Sequence, residues 1–229
     1  MEESMKELIV ANWKANIPVD QAEDWVQTLR DHCHYREGRE TVLAVPFLYM
    51  ERIFSRINTL PGICLAAQGV SPYPPGSYTG ATPASWVRDM VRYALVGHRE
   101  RRKYFHETIQ DVAAQVRECV AVGIRPILCL DDDIMPGMRA ALDSEELEEV
   151  ICAYTPDSAV ALEAAPDIDA IRAGIKRVNS YFVHRPVLYG GGVNDENVEE
   201  ILALPEVSGV MLGRVCLDAE RFIRFCQTV

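Results

Sequence analysis

Short apolar runs recur along the chain, separated by stretches long enough for about one helix each: Leu8–Ala11, Val42–Val45, Ile63–Ala66, Ala94–Val96, Pro126–Leu130, Val150–Ala153, Pro186–Tyr189 and Gly209–Leu212. Each run is nearly continuous in hydrophobicity instead of alternating, which marks strands covered on both faces. The intervening segments are amphipathic. Ala22, Trp25, Val26, Leu29 and Cys33 fall on one face of a helical period, with Asp24, Gln27 and Arg30 turned to water. Asn194, ahead of Glu196, Asn197 and Val198, and Asp218, ahead of the Phe222, Ile223 and Cys226 stripe, are residue types that open helices. Between Leu130 and Val150, Pro136, Gly137 and an acidic run leave room for only a short fifth helix, and a thin wall is expected there.

Eight strands alternating with helices in 229 residues predict an α/β fold, a closed (β/α)8 barrel forming a single domain over residues 1–229. An open doubly wound sheet shares the alternation. It usually carries a glycine-rich phosphate loop after its first strand, whereas Asn12-Trp13-Lys14-Ala15-Asn16 has no such fingerprint. In a closed barrel the functional residues sit on the loops after the C-terminal ends of the strands.

A formal net charge of −11 argues against general binding to nucleic acid or an anionic membrane surface, so any anionic ligand has to be held by local groups. The seven cysteines are odd in number and lack a CxxC pair, which points to reduced core thiols and a cytoplasmic location. The charged start, Met1–Glu7, lacks an apolar core of signal-peptide length, and no run approaches membrane-spanning length. Asp131-Asp132-Asp133 is acidic enough to suggest a metal. Three consecutive residues cannot all face one ion, however, and no histidine lies nearby, so solvated loop carboxylates and no metal are expected.

Several segments fall after predicted strands in a fixed order: Asn12-Trp13-Lys14, Ala67-Gln68-Gly69-Val70 with Tyr78-Thr79-Gly80, Gly97-His98-Arg99-Glu100-Arg101-Arg102, and Gly190-Gly191-Gly192-Val193. Together, from about Leu8 to the C-terminus, they resemble the triosephosphate isomerase family. The resemblance implies a TIM barrel, a homodimer formed through the loop after strand three, and no cofactor. It also implies interconversion of glyceraldehyde 3-phosphate and dihydroxyacetone phosphate, a step of glycolysis and gluconeogenesis. It assigns Lys14 to the substrate's negative charge with Asn12 orienting it, and Glu100 to contact with that lysine. Arg101 and Arg102 become structural ion-pair partners. His98 takes the family's known role of a neutral imidazole polarising the carbonyl, a role quoted from the family and not inferred from spacing. Gly190, Gly191, Gly192 and Gly213 would bring backbone N–H groups to a phosphate, with a helix N-terminus after Asn194 adding positive potential.

The pattern then breaks. Where the family has Tyr-Glu-Pro, this chain has Tyr154-Thr155-Pro156, so Thr155 replaces the general base. A threonine hydroxyl holds its own proton too tightly to remove one from carbon near neutral pH. The family's glycine-rich lid is replaced by Asp157-Ser158-Ala159-Val160-Ala161-Leu162-Glu163-Ala164-Ala165-Pro166. Asp157 or Glu163 could serve as a substitute base, although an acid on such a loop is more often a helix cap or solvated. Arg214 stands where the family has glycine, and it could block the phosphate pocket, bind an anion bidentately or make an outward salt bridge. Arg99 replaces a serine and Ala81 a glutamate.

The expectation is therefore a family member with little or no isomerase activity whose partner is a small phosphorylated metabolite. The alternatives are a working isomerase with Asp157 as displaced base, a non-catalytic small-anion sensor or partner-binding barrel, and an enzyme of different chemistry that reuses Lys14, His98 and Glu100.

Overall fold

The apolar runs form β1 (Glu7–Asn12), β2 (Arg39–Val45), β3 (Ile63–Ala67), β4 (Tyr93–Val96), β5 (Arg125–Leu130), β6 (Ile151–Tyr154), β7 (Val187–Tyr189) and β8 (Gly209–Leu212). Each pairs in parallel with the next, and β8 returns to β1 to close the barrel. This is the expected (β/α)8 architecture, seen in a computed structural model that describes residues 7–34, 36–156 and 167–228.

Alternation along the strands sorts the core into two shells. Leu8, Val10, Val42, Ala44, Ile127, Ile151 and Leu188 belong to one buried cluster in the barrel lumen. Their neighbours Ile9, Ala11, Leu43, Val45, Leu128, Cys152 and Val187 belong to a second, between sheet and helices. Both faces of every strand are therefore apolar, which is why the sequence shows runs and not alternation. The helix Val19–His32 buries Ala22, Trp25, Val26 and Leu29, the face its periodicity requires.

The span between β5 and β6 is better covered than the sequence suggested. Two short helices, Met135–Ala141 and Ser144–Glu149, lie there. Met135, Met138 and Leu142 are buried against the outer core, and a capping box of Asp143 and Glu146 starts the second helix. Glu146 is itself buried and accepts from Arg117 Nε at 2.9 Å. The wall is not thin, because two short helices fill the space that one longer helix would take.

Barrel closure rests on a close approach. Gly209 opens β8 opposite Leu8 with φ +145°, and a Cβ there would lie 2.1 Å from the Leu8 carbonyl oxygen. Main chain cannot give way as a flexible side chain can. Gly209→Ala is expected to cost about 3 kcal/mol or more. Gly38→Ala, at φ +81° in open space, should cost only about 1 kcal/mol of backbone strain. Urea denaturation of the two variants checks the contrast; equal losses would refute this account of the seam.

Candidate functional site

The inward-facing series of each strand continues one step past its end, and that step builds the mouth of the barrel. Leu8 and Val10 lead to Asn12, Ile151 and Ala153 to Thr155, Leu188 to Gly190, and Met211 to Gly213. Asn12, Thr155, Gly190 and Gly213 line an open cleft of about 600 Å³, joined by Lys14, His98, Glu100, Gly192 and Arg214. Arg99, Asn194 and Arg221 add to the rim, with Met211 in the floor. The structure thus gathers nearly every residue singled out in the sequence. Gly191 is buried and does not line the cleft. Asp157 and Glu163 lie outside the described residues.

Lys14 is held in a left-handed backbone conformation, φ 51°, which an L-residue adopts only when its surroundings impose it. The Asn12 side-chain oxygen accepts from the Lys14 N–H at 3.0 Å, and Gln68 Nε2 donates to the Lys14 carbonyl at 2.9 Å. Gln68 continues the inward series of β3, and its role is a long-range contact that no local motif announces. The ammonium of Lys14 meets Glu100 Oε1 at 2.6 Å, tying the loop after β1 to the loop after β4.

His98 caps the helix Arg99–Tyr104 through its ring: Nδ1 accepts from the Glu100 N–H at 3.3 Å. An accepting Nδ1 puts the proton of a neutral imidazole on Nε2, where it can be donated. Burial pushes the His98 pKa down to about 4, opposed by Glu100 and assisted by Lys14, Arg102 and Arg99. At neutral pH the ring is therefore an uncharged donor.

Thr155 is buried, and its hydroxyl donates to the Leu130 carbonyl at 3.3 Å, beside the bond that its N–H makes to the same oxygen at 2.8 Å. Its methyl group fills the space next to Gly190, where an added Cβ would approach within 2.9 Å. Among the described residues Glu100 is the single carboxylate lining the cleft, and it is committed to Lys14.

Two expectations change. Asn194 does not open a helix: the helical segment is Val198–Leu202, and the Asn194 side chain instead accepts from the N–H groups of Glu196 and Asn197 at 2.8 and 3.2 Å. Those donors are consumed within the turn. Among the described residues no hydrogen bond engages the N–H groups of Gly192 or Val193, both of which line the cleft. Asp131 and Asp132 are not simply solvated. Asp131 is buried, pairs with Arg102 and caps the Ile134 N–H at 3.2 Å, while Asp132 accepts from Arg177 Nε at 2.7 Å and from the Tyr154 hydroxyl at 3.1 Å. Arg101 pairs with Glu107 at 2.6 Å, so Arg101 and Arg102 are both ion-pair partners, as the resemblance implied.

Arg214 is exposed and makes no ion pair among the described residues. The cleft beside it stays open, so its guanidinium does not fill the pocket. Arg221, which sequence reasoning missed, reaches the same rim and is held by Asp195 through Nε and Nη2 at 3.0 and 2.8 Å.

Comparison with known proteins gives one answer along the whole chain. A family model described as triosephosphate isomerase matches residues 7–229. A triosephosphate isomerase of Dehalococcoides mccartyi (strain CBDB1) is 31% identical, over 97% of this chain and 96% of the relative. Those of Paracidovorax citrulli and Corynebacterium efficiens are 30% and 32% identical, each over 96% of this chain and over 96% and 94% of their own lengths.

The depressed His98 pKa has a measurable sign. Unfolded histidine gains a proton near pH 6.5 and the folded ring only near 4, so between these values the unfolded state binds more protons and stability falls as pH falls. His98→Gln should remove that part of the loss between pH 6.5 and 4. Imidazole ¹⁵N shifts should report a neutral Nε2–H tautomer from pH 8 down to 5; a protonated ring at pH 6 would contradict the assignment.

Proposed function

The chain belongs to the triosephosphate isomerase family, and from that premise we propose that it binds a small phosphorylated metabolite at the barrel mouth without isomerising triose phosphates at an appreciable rate. The observation that carries the reading is Thr155. Enediol formation needs a group that takes a proton from carbon, and at the end of β6 stands a buried hydroxyl already donating to the Leu130 carbonyl. Glu100 does not substitute, since it is paired with Lys14 at 2.6 Å. Asp157 falls on a run whose composition, Ala, Val and Leu around it, differs from the glycine-rich lid of the family.

The binding half of the machinery supports the reading from the other side. N–H groups of Gly192 and Val193, which line the cleft, suit phosphate oxygens. The Lys14 ammonium and the His98 Nε2–H converge on the same cleft, the first for charge and the second for an oxygen along the ligand. Small-anion sensing or partner regulation is the role proposed. The seven free thiols suit a reducing cytoplasm, and among the described residues no helix is long and apolar enough to cross a membrane.

Homodimerisation is part of the proposal. Leu48 is 85% exposed, Trp86 66% and Phe105 67%, on the segments that follow β2, β3 and β4. Tyr73 and Tyr78 stack at 4.5 Å in the long loop after β3. Large apolar side chains exposed on these segments suit an interface covered by a second copy.

Two measurements test these readings. The purified chain should show no efficient turnover of glyceraldehyde 3-phosphate yet bind 2-phosphoglycolate saturably, and Thr155→Glu should raise turnover by roughly 10²-fold or more if the rest of the site is assembled. Efficient turnover by the unmodified chain would end the proposal. Sedimentation should give twice the monomer mass, and Leu48→Glu should shift it toward monomer without loss of secondary structure; a monomeric native protein would remove the dimer.

A further inference from the structure

The end of the barrel opposite the cleft brings two thiols together. Cys33 stands just past the first helix, Val19–His32, where its N–H donates to the Leu29 carbonyl at 2.8 Å. Cys226 lies on the last helix, Ala219–Thr228. They come from opposite ends of the sequence, but closure sets β8 beside β1 and the last helix beside the first. The Trp25 and Phe222 rings pack with centroids 5.5 Å apart, and Gln227 Nε2 donates to the His32 carbonyl at 3.4 Å. The residues next to each cysteine are therefore in contact.

Cys33 and Cys226 line one small cavity of about 20 Å³, together with Arg39, Thr41 and Ile63. That is room for about one water. Arg39, itself buried, secures the wall by donating to the Cys226 carbonyl at 3.0 Å and to Glu7 Oε1 at 2.8 Å. Both cysteines are half-buried, whereas Cys119, Cys129, Cys152 and Cys216 are buried. Burial, and then the neighbouring Cys33, push the Cys226 thiol up to about 12, against Arg39 and Thr41; burial also raises Cys33. The two thiols thus feel each other's charge, and each is protonated at neutral pH.

We propose that Cys33 and Cys226 are a disulfide-forming pair, a site of reversible oxidation by a low-molecular-weight disulfide such as oxidised glutathione, which staples the first helix to the last. Cys33 reacts first, since it stands at a helix end between exposed His32 and His34, while Cys226 sits within a helical turn beside buried Phe225. The Cys33 thiolate attacks one sulfur of oxidised glutathione, whose S–S bond breaks, and one glutathione leaves as its thiolate. The Cys226 thiolate then attacks the Cys33 sulfur of the mixed disulfide and displaces the second glutathione. The two protons lost by the protein end on the two glutathione thiolates, so two protein thiols are oxidised and one small disulfide is reduced. Protonated thiols make both steps slow, and excess glutathione reverses them. The link closes a loop from residue 33 to residue 226, nearly the whole barrel, and so restricts the unfolded chain strongly.

The test incubates the full chain with excess oxidised glutathione and alkylates the remaining thiols in denaturant. Two fewer thiols than the seven of the untreated chain should react, and peptide mapping should join the segment holding Cys33 to the one holding Cys226. The oxidised chain should melt about 5 °C or more above the reduced one, a gain that dithiothreitol removes. Cys226→Ser should keep one glutathione on Cys33, and Cys33→Ser should take up none at Cys226; reduced melting points near that of the native chain show both variants to be folded. An unchanged thiol count, glutathione retained on the native chain without a cross-link, or a cross-link between other cysteines would overturn the pair. A cross-link that leaves the melting point unmoved would overturn the staple.

Discussion

Closure of the sheet between β1 and β8 determines what every strand can present at its upper end. Once β8 is paired with β1, the lumen has one inward row per strand, and those rows are filled by Leu8, Val10, Ile151, Leu188 and their neighbours. A ring packed this way admits no sliding of a single strand, because a shift of one residue would turn a buried row outward. The next inward position above the packed rows has to face the cleft whatever its side chain. Asn12, Thr155, Gly190 and Gly213 are there for that reason, and the close approach of Gly209 to Leu8 secures the seam on which they depend.

Polar ties then connect loops that the barrel brings near without touching. Lys14 to Glu100, Gln68 to the Lys14 carbonyl, and Arg102 to both Asp131 and the Gly97 carbonyl span β1, β3, β4 and β5. The Lys14 pair is about a third exposed on each side, so it contributes little net stability. Its consequence is positional: a lysine at φ 51°, fixed at both its N–H and its carbonyl, can point its ammonium in few directions. The neutral His98 ring is fixed in the same manner, by a main-chain donor at the start of its own helix.

What could be read from the sequence was whatever depends on alternation and on local spacing. The strands and the buried face of the first helix follow from period, while the cluster at the mouth follows from the resemblance of the loop motifs to the triosephosphate isomerase family. Less legible were features set by contacts across many residues. Asp131 and Asp132 read as loop acids until Arg102 and Arg177 arrive from distant segments. Asn194 read as a helix opener, yet its side chain closes a turn with Asn197 and the helix begins four residues later. Gln68 read as part of an interface loop and holds Lys14. The span after β5 read as sparse because proline and glycine interrupt it, although two short helices pack there as well as one long one.

The same geometry explains how binding and proton abstraction can part company in one barrel. The proposed anion cradle, main-chain N–H groups at Gly192 and Val193, would depend on backbone shape, which β7 and the reciprocal Asn194 and Asn197 bonds maintain. A base is one side chain at one inward position. Thr155 suits that position structurally: its hydroxyl is satisfied by the Leu130 carbonyl and its methyl group packs toward Gly190. It carries none of the desolvation cost of a carboxylate buried beneath the cleft. A threonine is thus accommodated at this position beside Gly190. On the proposed reading, a site of this kind holds an anion without taking a proton from carbon.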